Sequence, residues 1–111
     1  MEFVITEYQH CDLIEISGRV DSYTSPKLQD ALDALIADGH HKLVVDLKNV
    51  NYLSSSGMLT LINAQKQCKQ HQRGEILLVN VSDRVFASLQ LAGFNQLFQI
   101  FDDVVIAVGK F

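Results

Sequence analysis

A chain of 111 residues in which 48% are hydrophobic is long enough to enclose one core, so a single domain over 1–111 is expected. The net charge of -4 leaves no basic patch, since the densest basic cluster, Lys66 to Arg73, is diluted by Gln; nucleic acid is thereby excluded as the obvious partner. Cys11 and Cys68 show no C-x-x-C spacing, which argues against a zinc module or a disulfide scaffold and suits a reducing compartment. No segment approaches the ~18 unbroken apolar residues of a membrane span, and the N-terminus "MEFVITEYQH" lacks a signal-peptide pattern, so no membrane partner and a cytoplasmic location are expected.

In chain order, "FVITEY" (3–8) and "DLIEISGRV" (12–20) alternate apolar and polar residues and read as strands, joined by a short connection at Gln9 to Cys11. The period then changes. Leu28, Leu32, Leu35 and Ile36 recur at helical spacing, with Ser25 placed to cap, Pro26 at the first helical position and Gly39 as the stop. "HKLVVDLKNV" (41–50) is a nearly continuous apolar run suited to a strand covered on both faces. Met58, Leu61, Ile62 and Cys68 then share one face of a helix reaching to about Gln72, with Gly74 as its stop. "EILLVNV" is a further buried strand. Ser82 caps a helix with Val85, Leu89 and Ala92 on its face, "LFQIF" forms a last strand, and a short closing helix is capped by Asp102. Two strands followed by repeated strand and helix imply an α/β fold, its later strands parallel because helical crossovers return each in the same direction.

Sites in such sheets lie beyond the C-terminal strand ends, in the loops leading into helices. Those loops are Asp21 to Ser25 and Lys48 to Ser56, and the second contains "SSSG". A hydrolase nucleophile is disfavoured because G-x-S-x-G is absent and His10, His40, His41 and His71 fall in turns or at helix termini, where a solvated imidazole is the ordinary expectation. A receiver-like phosphoacceptor site is disfavoured because Asp46 lies within an apolar run and Glu7 stands alone after the first strand. No dinucleotide or P-loop motif occurs, so no cofactor is expected. The positive end of the second helix can hold a dianionic phosphate on Ser55 or Ser56, and such a charge would displace a docked protein. Gly57, lacking Cβ, lets a partner approach the backbone closely. Redundant helix capping is the plain alternative use of three serines.

Three segments in order carry a resemblance: "SGRVDSYTSPKLQDAL", "KLVVDLKNVNYLSSSGMLTLI" and "LLVNVSDRVFASLQLAGFNQLFQIF". Together they resemble the anti-sigma factor antagonist (anti-anti-sigma) family of single STAS domains. The resemblance implies a STAS fold, α/β with a mixed, mainly parallel sheet beginning with two strands, and a binding protein rather than an enzyme. The family's D-S-S-G falls on Ser54, Ser55, Ser56 and Gly57, which makes Ser55 the implied phosphoacceptor; Ser54 stands where the family has Asp. Asp21 matches the acid of the family's G-x-x-D segment. Asp21, Ser54, Ser56, Gly57 and Met58 are thus the expected partner-contact residues around Ser55. The implied partners are an anti-sigma factor with serine kinase activity, released on phosphorylation, and a PP2C-type phosphatase that resets the switch. A constitutive STAS docking module, or one that senses a nucleotide or other anion at the same helix start, is the alternative.

Overall fold

The computed structural model describes all residues, 1–111. Its elements are β1 (Glu2–Glu7), β2 (Asp12–Val20), α1 (Ser25–Ala37), β3 (Lys42–Leu53), α2 (Ser55–Lys69), β4 (Glu75–Val79), α3 (Asp83–Leu91), a short 3-10 turn (Asn95–Leu97), β5 (Gln99–Phe101) and α4 (Val104–Gly109). The five strands form one sheet in the order β1-β2-β3-β4-β5. β1 pairs with β2 antiparallel, so the two initial strands do form a hairpin, and every later pair is parallel.

Strand order equal to chain order has a consequence for the layers. Each of the three β-α-β crossovers moves one strand over in the same direction, and the right-handed rule then puts α1, α2 and α3 on one face. The main core lies there: Leu28, Leu32, Leu61, Ile62, Val85 and Leu89 meet Ile14, Ile16, Val45, Leu47, Ile76 and Leu78. The alternate residues Leu13, Val44, Leu77 and Val79 point to the other face, where α4 covers them with Ala107, Val104 and Val108. β4 and the first half of β3 are therefore covered on both faces, which is why Leu43 to Val45 and Ile76 to Val79 run without polar alternation.

Several element ends differ from the sequence reading. Thr24 precedes α1 without making a side-chain cap bond, and Ser25 is already helical and buried. Asp103, not Asp102, caps α4, its Oδ1 accepting from Val105 N at 2.7 Å. Ala92 is exposed beyond α3 rather than on its buried face. α2 ends at Lys69, and the left-handed residue after it is Arg73, φ 60°. Gly74 serves a different need there: a Cβ at that position would lie 1.9 Å from the Cys68 carbonyl oxygen.

Burial pushes the Cys11 thiol upward and the Cys68 thiol to about 11, leaving both protonated core side chains. The buried polar side chain that does most for the core is Gln65, on the sheet-facing side of α2. Its Oε1 accepts from Ile76 N at 2.6 Å, while its Nε2 donates to the Leu97 carbonyl at 2.8 Å and to the Ile76 carbonyl at 3.3 Å. One amide thus ties α2 to the start of β4 and to the turn before β5. Gln65→Leu keeps the volume but strands those backbone groups away from water, and is expected to lower unfolding free energy by about 2–4 kcal/mol in urea titration.

Candidate functional site

The site begins with a backbone contact between strand ends. Register shifts interrupt the β2 and β3 ladder between Glu15 and Ser17 and again between Gly18 and Arg19, yet Val20 still pairs with Leu53. The next residue, Ser54, donates its N–H to the Val20 carbonyl at 2.9 Å. The expected long loop from Lys48 to Ser56 is therefore mostly strand, and the chain turns from β3 into α2 through Ser54 alone. Both loops, after β2 and after β3, leave the sheet side by side.

The three serines have three different situations. Ser54 is the N-cap in extended conformation, and its Oγ accepts from Gly57 N at 3.2 Å. Ser56 is half-buried, with its Oγ 2.8 Å from Ser54 Oγ in a hydroxyl–hydroxyl hydrogen bond. Ser55, the first residue of α2, is exposed, and its hydroxyl has no partner in the protein. Its backbone N–H belongs to the first helical turn, where no intrahelical acceptor exists and the helix dipole is positive.

Gly57 and Met58 lie elsewhere than expected. Met58 is 7% exposed and packs into the main core, so it supports the surface from beneath instead of forming it. Gly57 is also buried, and the close approach it permits is internal: a Cβ there would come within 2.8 Å of both Val20 Cγ1 and Leu53 Cδ1. The absent side chain lets α2 sit directly on the ends of β2 and β3.

Asp21 shapes the neighbouring loop. Its Oδ1 accepts from the N–H groups of Tyr23 and Thr24, each at 3.0 Å, and its Oδ2 accepts from Arg19 Nε at 3.0 Å. The Thr24 hydroxyl donates to the Arg19 carbonyl at 2.9 Å and accepts from Asp21 N at 3.0 Å. Asp21 thus closes the turn into α1 in place of the missing cap. Hydrogen bonds from Thr24, with help from Arg19 and Tyr23, hold its carboxyl below the usual range. The Arg19 guanidinium also lies 4.0 Å over the Tyr52 ring.

The sequence reading overlooked the apolar part of this surface. Tyr23 is 91% exposed, Leu59 50% and Tyr52 36%, all at the end of the sheet where Ser55 stands. Leu59 carried a usable signal: it is apolar, yet it falls outside the Met58, Leu61 and Ile62 face and one turn after Ser55. Asp46, weighed as a phosphoacceptor, is buried and accepts from Lys48 N at 2.9 Å and Asn80 Nδ2 at 3.2 Å, so its oxygen is committed to structure.

Two measurements check this geometry. Gly57→Ala is expected to lose about 1–3 kcal/mol of stability, because overpacking against the stiff Val20 side chain outweighs the gain in helix propensity. In an NMR titration, the Asp21 carboxyl is expected to ionise below its ordinary value of 3.8. A carboxylate with a depressed folded-state pKa stabilises above the ordinary range, and that contribution disappears as pH falls through the folded value.

Comparison with known proteins agrees with the fold and extends it. The STAS domain family matches residues 2–107. The chain is 32% identical over 91 residues to the anti-sigma-B factor antagonist of Listeria monocytogenes, covering 82% of this chain and 78% of that protein. An anti-sigma factor antagonist from Mycobacterium paratuberculosis superposes with a TM-score of 0.87 at 23% identity, covering 98% of this chain and 92% of the other. The Bacillus cell fate determinant SpoIIAA, in its phosphorylated form, superposes with a TM-score of 0.78 at 14% identity over 98% of both chains. No helix is long and apolar enough to cross a membrane. With a STAS model spanning nearly all of its length and an antagonist relative above 30% identity, this chain belongs to the STAS domain family, among its non-enzymatic anti-sigma factor antagonists.

Proposed function

We propose that the chain is the phosphorylated component of a partner switch in the bacterial cytoplasm, with Ser55 as the phosphoacceptor. Unmodified, it binds an anti-sigma factor that is also a serine kinase; phosphorylation of Ser55 ends that binding, and a PP2C-type phosphatase restores it. The observation that carries this reading is that, of three adjacent hydroxyls, only that of Ser55 is both exposed and unengaged. A kinase reaching the helix start meets that oxygen first, whereas modification of Ser54 would remove the N-cap and modification of Ser56 would break its bond to Ser54.

Electrostatics supports the same reading. A phosphate on Ser55 adds about 1.5 to 2 negative charges and three acceptor oxygens. The free N–H groups of the first turn and the positive helix end hold that charge without unfolding α2. A partner seated over Ser55, with Asp21, Ser54 and Ser56 at its margin and the exposed Leu59 one turn along α2, would then have to bury the new charge.

With the cognate kinase and ATP, the wild-type chain is expected to gain one phosphate by mass spectrometry, retained in Ser54→Ala and Ser56→Ala and lost in Ser55→Ala. Continued labelling of Ser55→Ala rejects the assignment. The phosphorylated chain is expected to bind the anti-sigma factor at least about tenfold more weakly, a change of about 1.4 kcal/mol, by calorimetry.

A further inference from the structure

We propose that the Asp12–His40 pair is a pH-operated tie: with His40 protonated it clamps the α1–β3 connection to the start of β2, and loss of that proton loosens it. The pair lies at the opposite end of the parallel strands from Ser55, with Asp12 opening β2 and His40 between α1 and β3. Asp12 Oδ2 accepts from His40 Nδ1 at 2.6 Å, and the other ring nitrogen, Nε2, lies 3.5 Å from Asp38 Oδ2. An ionised carboxylate can only accept. Both ring nitrogens thus face acceptors, and the imidazolium is the form that donates to both; a neutral ring must turn a lone pair toward one acid. The imidazole is therefore not the freely solvated side chain that the sequence suggests.

The surroundings bias the ring toward its charged form. Asp12 is only 3% exposed, and a carboxylate so placed needs a cationic partner. His40 also stands just beyond the C-terminal end of α1, its N–H donating to the Leu35 carbonyl at 2.9 Å, where the negative end of the helix dipole favours a cation. The charged groups facing the ring are Asp12 from β2, Asp38 from the end of α1 and Glu7 from the end of β1. His10 on the β1–β2 turn and Lys42 opening β3 line the same cavity. The next residue, His41, is held separately: its Nε2 donates to the Ile36 carbonyl at 3.2 Å, and its ring stacks on that of His71 with centroids 3.5 Å apart.

The hydrogen bond to Asp12 raises the His40 pKa above its ordinary value of 6.5; partial burial opposes the rise, and the charges of Asp12, Glu7 and Asp38 add to it. A base raised in this way contributes stability that is complete below pH 6.5 and is lost as the pH climbs through the higher folded-state value. Deprotonation takes the cation away from the buried Asp12 carboxylate and leaves it at most a neutral donor. The tie shares no residue with the Ser55 site and does not rest on the phosphorylation reading.

The test is an NMR titration of the histidine Cε1–H signals in the full-length chain, which needs no variant, paired with urea unfolding of wild type and His40→Gln at about pH 6 and about pH 9. His40 is expected to release its proton above pH 6.5. The ratio of the wild-type folding constant to that of His40→Gln is expected to fall about threefold or more between the two pH values. Taking the ratio cancels the His41–His71 stack and every other group common to both chains. A hydrogen bond with a purely structural role gives the same ratio at both. A His40 midpoint at or below pH 6.5, or an unchanged ratio, overturns the proposal.

Discussion

The hydrogen bond from the Ser54 N–H to the Val20 carbonyl is the contact on which the Ser55 site depends. It extends the β2–β3 ladder by one residue past the last side-chain pair and so fixes where α2 begins. Because Gly57 has no Cβ, the first turn of that helix rests on Val20 and Leu53, and the backbone at residue 55 is held against the ends of β2 and β3. Asp21 performs the matching task on the β2 side by closing its loop with its own carboxylate. Two adjacent loops are thereby set at one end of the sheet.

The helix start divides labour among chemically identical side chains. A single N-cap oxygen satisfies one of the donors that every helix leaves unpaired, and Ser54 does so. Ser56 lends its hydroxyl to Ser54, which holds the capping oxygen in place. The remaining serine is left with no structural duty, and function at this surface begins with that freedom. The same economy explains why Ser54 in place of an acid is compatible with the fold: a hydroxyl caps as well as a carboxylate does.

Much of this was legible in the sequence because each element carries a period and a punctuation mark. The start of β3 and nearly all of β4 are continuous apolar runs, and α1 and α2 repeat Leu and Ile at helical spacing; these patterns follow from burial on both faces or on one. What the sequence left ambiguous were choices between neighbours. Ser25 against Thr24, and Asp102 against Asp103, are pairs of polar residues of which tertiary geometry selects one, and at α1 the task passed to Asp21, outside the helix. Gly57 announced a close approach without saying to what, since Val20 is distant in sequence. His40 was unreadable for the same reason: its partner Asp12, at the start of β2, lies 28 residues earlier in the chain.

The one-directional winding of the sheet leaves β1 as a six-residue outer strand with an unpaired backbone and partly exposed Val4 and Ile5. Such a border is a template for further strands, and proteins commonly guard it with charge. In β1 the sequence Glu-Phe-Val-Ile-Thr-Glu puts an acid at each end. A second copy adding antiparallel in centred register would set Glu2 opposite Glu7 at both ends of the new ladder, where like charges repel. The two glutamates therefore penalise that self-pairing at the longer open edge of the sheet.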